Sequence, residues 1–342
     1  MTTRMRVAVD AMGGDFGPSI TVAAALSALA RHATLDITLV GDERQLRETL
    51  HGHSGFDPAR LTVESAAQVV EMHERPSSAL RHKRESSMRK SIDLVKSGQA
   101  QAAVSAGNTG ALMAMASFVL KTFPDIERPA ICAALPGLGA PTYMLDLGAN
   151  VDSSSSQLFH FAVMGAVLAE TVGNRPRPRV ALLNIGEEEI KGNDRVKQTD
   201  LLLKQSALNY VGFVEGNDIF TSSVDVIVCD GFVGNVALKA SEGVARMLSQ
   251  LARDAFTRNW RTKLAAVGAQ RPLRELRQRA DPGRYNGASL LGLRGIVVKS
   301  HGSADAPSFA HAISVALREI EEAIPERISR QIEDLLAPSS KP

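Results

Sequence analysis

Short, almost wholly apolar runs alternate along this chain with longer segments whose apolar residues recur at helical spacing. Strands are predicted over 5–10, 36–40, 61–64, 101–105, 180–183, 210–214, 224–229 and 295–299. The 224–229 run is rich in β-branched residues and reads as a strand buried on both faces. The runs at 130–135 and 142–147, joined by P-G-L-G-A-P, read as a hairpin. Between strands, Pro18 opens a helix with Ile20, Ala24 and Leu26, and a long basic helix ends near Val95. An apolar helix follows 101–105, and Asp152 or a following serine caps one bearing Leu158, Phe161 and Val163. N-R-P-R-P-R at 174–179 is a linker, and a final amphipathic helix spans 306–323. This alternation predicts a doubly wound, largely parallel sheet in an α/β/α sandwich. It would form a single catalytic α/β unit over 1–342, in one lobe or two.

Glycine, asparagine, aspartate and serine gather just after the strands, at the sheet's carboxyl edge, where such folds place their sites. After 224–229 come Asp230, Gly231, Gly234 and Asn235, with helical spacing from Val236. A strand running through a Gly-rich turn into a helix leaves free N–H groups and a positive dipole end, a place for a phosphate. An ordinary tight turn, with Asn235 as its helix cap, is the alternative. Gly107, Asn108, Thr109 and Gly110 repeat the design, and Asp10 with Gly13 and Gly14 gives a third instance. The spacing there is G-G-x-x-G, not the G-x-G-x-x-G of dinucleotide sites, so no nicotinamide cofactor is expected. His301 and Ser303 follow the last strand, and Lys191 sits on the Gly-flanked loop after 180–183, free to hold an anion or to pair with Glu187–Glu189.

Composition narrows the function. The net charge of +2 and aromatic content of 4% exclude a basic, base-stacking nucleic-acid binder. Cys132 and Cys229 lie inside apolar runs without any metal-ligand spacing, pointing to core packing in a reducing compartment. The E-E-E run at 187–189 has no second cluster to complete a metal site, so metal independence is expected. No signal peptide is expected before the first strand, and the longest apolar run, 111–120, is too short to cross a bilayer.

Residues 253–284 differ in character. Phe256, Trp260, Leu264 and Val267 share one helical face, and Pro272 can start a second helix with Leu273 and Leu276. Nine Lys/Arg against three Asp/Glu leave the rest of the chain net negative. A basic amphipathic helical hairpin of this kind suits contact with its twin in a homodimer, an anionic membrane surface, or both.

Seven ordered blocks resemble one family: V-A-V-D-A-M-G-G-D-F-G-P, S-A-G-N-T-G-A, L-D-L-G-A-N-V-D, L-L-N-I-G-E-E-E-I-K-G-N, F-V-E-G-N-D-I, V-D-V-I-V-C-D-G-F-V-G-N-V-A-L-K and K-S-H-G-S-A-D. Together they resemble the bacterial phosphate acyltransferase (PlsX) family from Val7 to Asp305. The resemblance implies transfer of a long-chain acyl group from acyl-acyl carrier protein to inorganic phosphate, giving acyl phosphate for phospholipid synthesis. It implies a fold like the isocitrate/isopropylmalate dehydrogenase and phosphotransacetylase group, without a cofactor. It also implies a cytoplasmic homodimer held peripherally at the inner face of the cell membrane, handing product to a membrane-bound glycerol-3-phosphate acyltransferase. Carried onto this sequence, Lys191 and Asn235 become catalytic. Asp10, Gly13, Gly14, Asn108, Thr109, Gly231, Gly234, His301 and Ser303 become substrate-binding. Two places depart from the pattern. Ser153–Ser156 form a run of four serines, and Y-N-G-A-S-L-L-G-L at 285–293 puts Asn286 where the family has glycine, which is expected to alter a turn.

Overall fold

The computed structural model describes residues 4–221, 223–274 and 282–336. Among them eleven strands form one sheet: β1 (Met5–Asp10), β2 (Leu35–Gly41), β3 (Leu61–Ser65), β4 (Ala102–Ser105), β5 (Ala130–Leu135), β6 (Thr142–Leu145), β7 (Val180–Leu183), β8 (Tyr210–Val214), β9 (Val226–Val228), β10 (Ala288–Leu291) and β11 (Ile296–Lys299). Their order is β3-β2-β1-β4-β11-β10-β5-β6-β9-β7-β8. The first five run parallel, as do the last four, but the two sets point in opposite directions. The reversal is made by β10, antiparallel to both β11 and β5, and by the predicted β5–β6 hairpin. Strand β10 is absent from the sequence expectation.

Alternation along each strand sends successive side chains to opposite faces. Val7 and Val9 of β1 and Val298 of β11 pack under the helices Pro18–Arg31 and Ala306–Glu321. On the same side, Leu145, Val180 and Val226 pack under Ser155–Thr171 and a helix not anticipated from sequence, Ile324–Leu336. The opposite face is one continuous apolar layer across both halves. It runs from Met88, Ile92, Leu112 and Met115 to Ile131, Met144 and Ile227. The result is the expected α/β/α sandwich with a largely parallel sheet.

Two helical expectations change, and a third is borne out in the serine run. The basic helix before β4 is two helices, Pro76–His82 and Ser87–Lys96. Ser86, at φ −75 and ψ 152, leaves helical space and its hydroxyl accepts from the Arg89 amide at 3.3 Å, starting a new helix. Ser154, in the serine run, caps the following helix through a reciprocal pair with Gln157. The larger change is at Gly231: one helix, Gly231–Thr257, starts there and continues into the basic excursion. Asn259 then caps Trp260–Gly268, and helix resumes over 270–274; the remainder of the expected second arm, with Leu276, lies outside the described residues.

Candidate active site

A cavity of about 2340 Å³ opens on the sheet face that carries the continuous apolar layer. Its floor includes Ile131, Ala133 and Leu135, alternate residues and hence one face of β5. Its opposite wall is the helix Gly231–Thr257, from Asn235 to Arg253. Polar residues enter from the ends of β11 and β6 and from the start of the helix Thr109–Leu120.

Asp10, Ser105 and Lys299 stand in register at the last paired positions of β1, β4 and β11. All three are buried. The Ser105 hydroxyl donates to Asp10 Oδ2 at 2.6 Å and accepts from the Gly107 amide at 3.0 Å. Burial pushes the Asp10 carboxyl up, against the lowering effect of the Ser105 hydroxyl. Gly13 is required here for space: a Cβ would lie 2.6 Å from Asp10 Oδ2. Gly14 adopts φ +91 and packs on Ala106 and Gly302. These residues shape the loop beside the cavity without lining it.

Lys299 does line it. Its Nζ donates to the Ala106 carbonyl at 3.2 Å and to the Ser300 carbonyl. Burial lowers its pKa to about 8, with Asp10 acting the other way. Two residues on, His301 faces the cavity. The Ser303 amide donates to His301 Nδ1 at 3.2 Å, with the Ser303 hydroxyl at 2.9 Å from the same nitrogen. An Nδ1 that accepts an N–H leaves the proton of a neutral ring on Nε2. Burial and then Lys239 lower the His301 pKa, favouring that neutral form.

Asn286, expected to disturb a turn, instead braces this loop. Its backbone is not in the left-handed region; Gly287, with φ +115, takes that conformation. The side chain accepts from the His301 amide and donates to Ser300 and Ser308.

On the far side, Asp146 follows β6 and its carboxylate accepts from the amides of Ile131, Gly148, Ala149 and Asn150. It thereby moulds a tight turn on which the helix Gly231–Thr257 begins. Gly231 and Gly234 serve that approach. A Cβ on Gly234 would lie 1.9 Å from the Asp146 carbonyl oxygen, and one on Gly231 would lie 2.5 Å from that of Asn150. The anticipated Gly-rich turn is therefore the first turn of a helix, capped by Asp230, whose Oδ1 accepts from Val233 at 3.0 Å. Asn235 is freed from capping. Its exposed amide lines the cavity over Gly148 and makes no hydrogen bond among the described residues.

Asn108 has the capping role: Oδ1 accepts from Ala111, and Nδ2 donates to the Met72 and Glu74 carbonyls. Thr109, next to it, is exposed at the cavity wall. Lys191 is not part of the lining. Its Nζ pairs with Glu188 at 2.8 Å, and that bond raises the lysine's pKa. The cavity thus unites Asn235, Thr109, His301 and Ser303. Sequence reading passed over Lys299 and Asp146, and took Asn286 only as a change in a turn. The one available signal was a lysine closing the otherwise apolar run I-V-V-K before S-H-G. Among the described residues, no group of three His, Cys, Asp or Glu side chains is placed to hold a metal.

A wide, largely apolar cavity with neutral and cationic donors at one end can hold an apolar chain and an anion side by side. Solved structures agree on the fold. The chain superimposes on a phosphotransacetylase from Streptococcus pyogenes with TM-score 0.62 at 16% identity, covering 93% of this chain and 94% of that one. A branched-chain phosphotransacylase from Enterococcus faecalis gives 0.56 at 13% identity, covering 92% and 99%. At these identities the likeness speaks for the fold alone. Sequence goes further. The family model described as "Fatty acid synthesis protein" matches residues 5–327. A phosphate acyltransferase from Halorhodospira halophila is 56% identical over 337 residues, 98% of each chain. One from Alkalilimnicola ehrlichii is 55% identical over 342 residues, the whole of both. The protein is an acyltransferase. It belongs to the phosphate acyltransferase family.

Proposed function

We propose that the protein moves a long-chain acyl group from acyl-acyl carrier protein to inorganic phosphate, supplying acyl phosphate for phospholipid synthesis. The observation that carries the reading is the cavity itself. Its apolar length along β5 and the 231–257 helix suits an acyl chain, and its polar end, with Asn235, His301, Ser303 and Thr109, suits phosphate. Hydrogen phosphate is nucleophilic enough to attack a thioester without a protein nucleophile. Its oxygen forms the new C–O bond, the C–S bond breaks, and its proton ends on the carrier's thiol. Asn235 donates its amide N–H to the carbonyl oxygen as that oxygen gains charge. His301 donates from Nε2 to a phosphate oxygen. Lys191, on the loop after β7, contributes its charge once an anion competes with Glu188. Buried Cys229, its thiol pushed well up by desolvation, is unsuited to carry the acyl group.

The same reading makes the protein a cytoplasmic homodimer bound peripherally to the membrane beside a membrane-bound glycerol-3-phosphate acyltransferase. Trp260, Leu264 and Val267 support it: each is over 60% exposed on one face of a basic segment, and the Arg261 guanidinium lies over the Trp260 ring. Each basic residue near an anionic surface adds roughly 1 kcal/mol. Among the described residues no helix is long and apolar enough to cross a membrane.

The test is one assay. Purified protein is mixed with long-chain acyl-acyl carrier protein, with and without phosphate, while free carrier thiol and hydroxylamine-trapped acyl phosphate are followed together. Equal release of both, only with phosphate, is expected. Thiol release without phosphate would mark a thioesterase, and reaction with acyl-coenzyme A alone would transfer the protein to the phosphotransacetylase reaction.

A further inference from the structure

Lys299 is only 9% exposed, at the end of a strand and against the cavity. A buried ammonium is costly unless its charge is answered. Yet both of its partners, the Ala106 and Ser300 carbonyls, are neutral. No carboxylate lies within 4.0 Å of it among the described residues. Asp10 stands in the same register row with β4 between them and is engaged by Ser105; it and Asp15 act on Lys299 without an ion pair. Lys239, the other ammonium acting on this site, is already matched by Glu242 at 2.9 Å. An ammonium has three donors. Two are used on the wall, and the third has no protein acceptor among the described residues.

We propose that Lys299 is the cation of the acceptor subsite, two of its N–H groups held by main-chain carbonyls and the third directed to an oxygen of inorganic phosphate beside His301. The proposal rests on the acyl-to-phosphate reading and adds to it a second cation. The two lysines differ in kind. Lys191 is 41% exposed and has a carboxylate at 2.8 Å, so an anion must displace Glu188 to reach it. Lys299 is desolvated and fixed by the strand, so a charge-assisted hydrogen bond from it is strong and needs no rearrangement. The Thr109 and His301 donors at the same wall supply the remaining oxygens of a tetrahedral anion.

Phosphate is titrated calorimetrically into the full-length protein without acyl donor, and KM is measured separately for phosphate and for acyl-acyl carrier protein. Lys299→Met is expected to lower phosphate affinity and raise its KM on the order of tenfold or more. The KM for the acyl donor stays within about twofold, since a neutral side chain still fills the wall. Lys299→Gln keeps donors for the Ala106 and Ser300 carbonyls without the charge, so it separates anion binding from support of the wall. Should Lys299→Met fail to melt cooperatively, this variant decides: it too must lose phosphate. Either folded variant binding phosphate as the parent does overturns the proposal, as does a parent protein that binds none. Acyl phosphate formation with an unchanged phosphate KM in Lys299→Gln would leave the reaction standing and remove Lys299. Phosphate binding through Lys299 without acyl phosphate formation would do the reverse.

Discussion

Asn286 Oδ1 accepts from the His301 amide at 2.9 Å, so a residue outside the 300–303 loop fixes the backbone that carries the imidazole. The same side chain donates to Ser300 Oγ and to the Ser308 carbonyl, both at 2.8 Å. Asn286→Gly removes all three bonds while leaving the turn's left-handed residue, Gly287, in place. It should cost about 1–3 kcal/mol in denaturant unfolding. Turnover should fall through misplacement of His301. An unchanged unfolding midpoint would show the bracket to be idle.

Asn235 and Lys191 make a contrasting pair. Asn235→Ala should lower kcat by roughly 10²–10³, the usual loss for one preorganised oxyanion donor. Lys191→Ala is expected to lose turnover while keeping dimerisation and binding to anionic vesicles, measured by light scattering and flotation. Full turnover in that variant would remove Lys191 from the site.

The glycines of the 231–257 helix respond in opposite ways. Gly234→Ala places a methyl 1.9 Å from the Asp146 carbonyl oxygen, so the helix must lift off the turn. A loss of about 3 kcal/mol or more is expected, with a much weakened site. A Cβ on Gly243 meets nothing within 4 Å, and Gly243→Ala should stabilise by up to about 1 kcal/mol. Thermal melting of the two variants compares them directly, and equal effects would contradict the packing described.

Glu319 sits buried beneath β10, bonded to the Ser289 hydroxyl, and burial pushes its carboxyl up from 4.5 to about 7. Between those values the folded chain holds a proton that the unfolded chain has released. Stability therefore falls as pH rises through this window, by on the order of 3 kcal/mol from this group. Urea midpoints at the two ends of the window measure it against the other titrating groups. Glu319→Gln should remove that part of the slope, and a slope unchanged by the substitution would refute the assignment.

The repeating apolar runs made most strands and the sandwich legible, because a strand buried on both faces must be nearly continuous in apolar residues. Strand β10 escaped: Ala288–Leu291 is four residues between two glycines, too short to show a period. The start of the 231–257 helix was hidden for a steric reason. Gly231 and Gly234 are small because Asp146 and Asn150 press on them, and that pressure comes from a segment some eighty residues away. The same blindness to burial concealed Lys299, which in sequence is only a charged residue ending a strand. Asn235, His301 and Ser303 were visible as polar residues after strands, but the choice between cap and cavity wall at Asn235 turned on Asp230 taking the cap.

Strand β10 also has a mechanical consequence. It is hydrogen-bonded to β11 on one side and to β5 on the other, so both halves hang on one unbroken ladder. Enzymes that shut two lobes on a substrate swing them about a few loop residues. Here such a swing would tear main-chain bonds. The roof is held at one end: its heel is clamped by Gly231 and Gly234 under the Asp146 turn, while Val244, Met247, Leu248 and Leu251 farther along are exposed. A lever pinned at one end moves most at the other. Any surface that grips the Trp260 end of this roof would thereby act on the cavity wall from its far end.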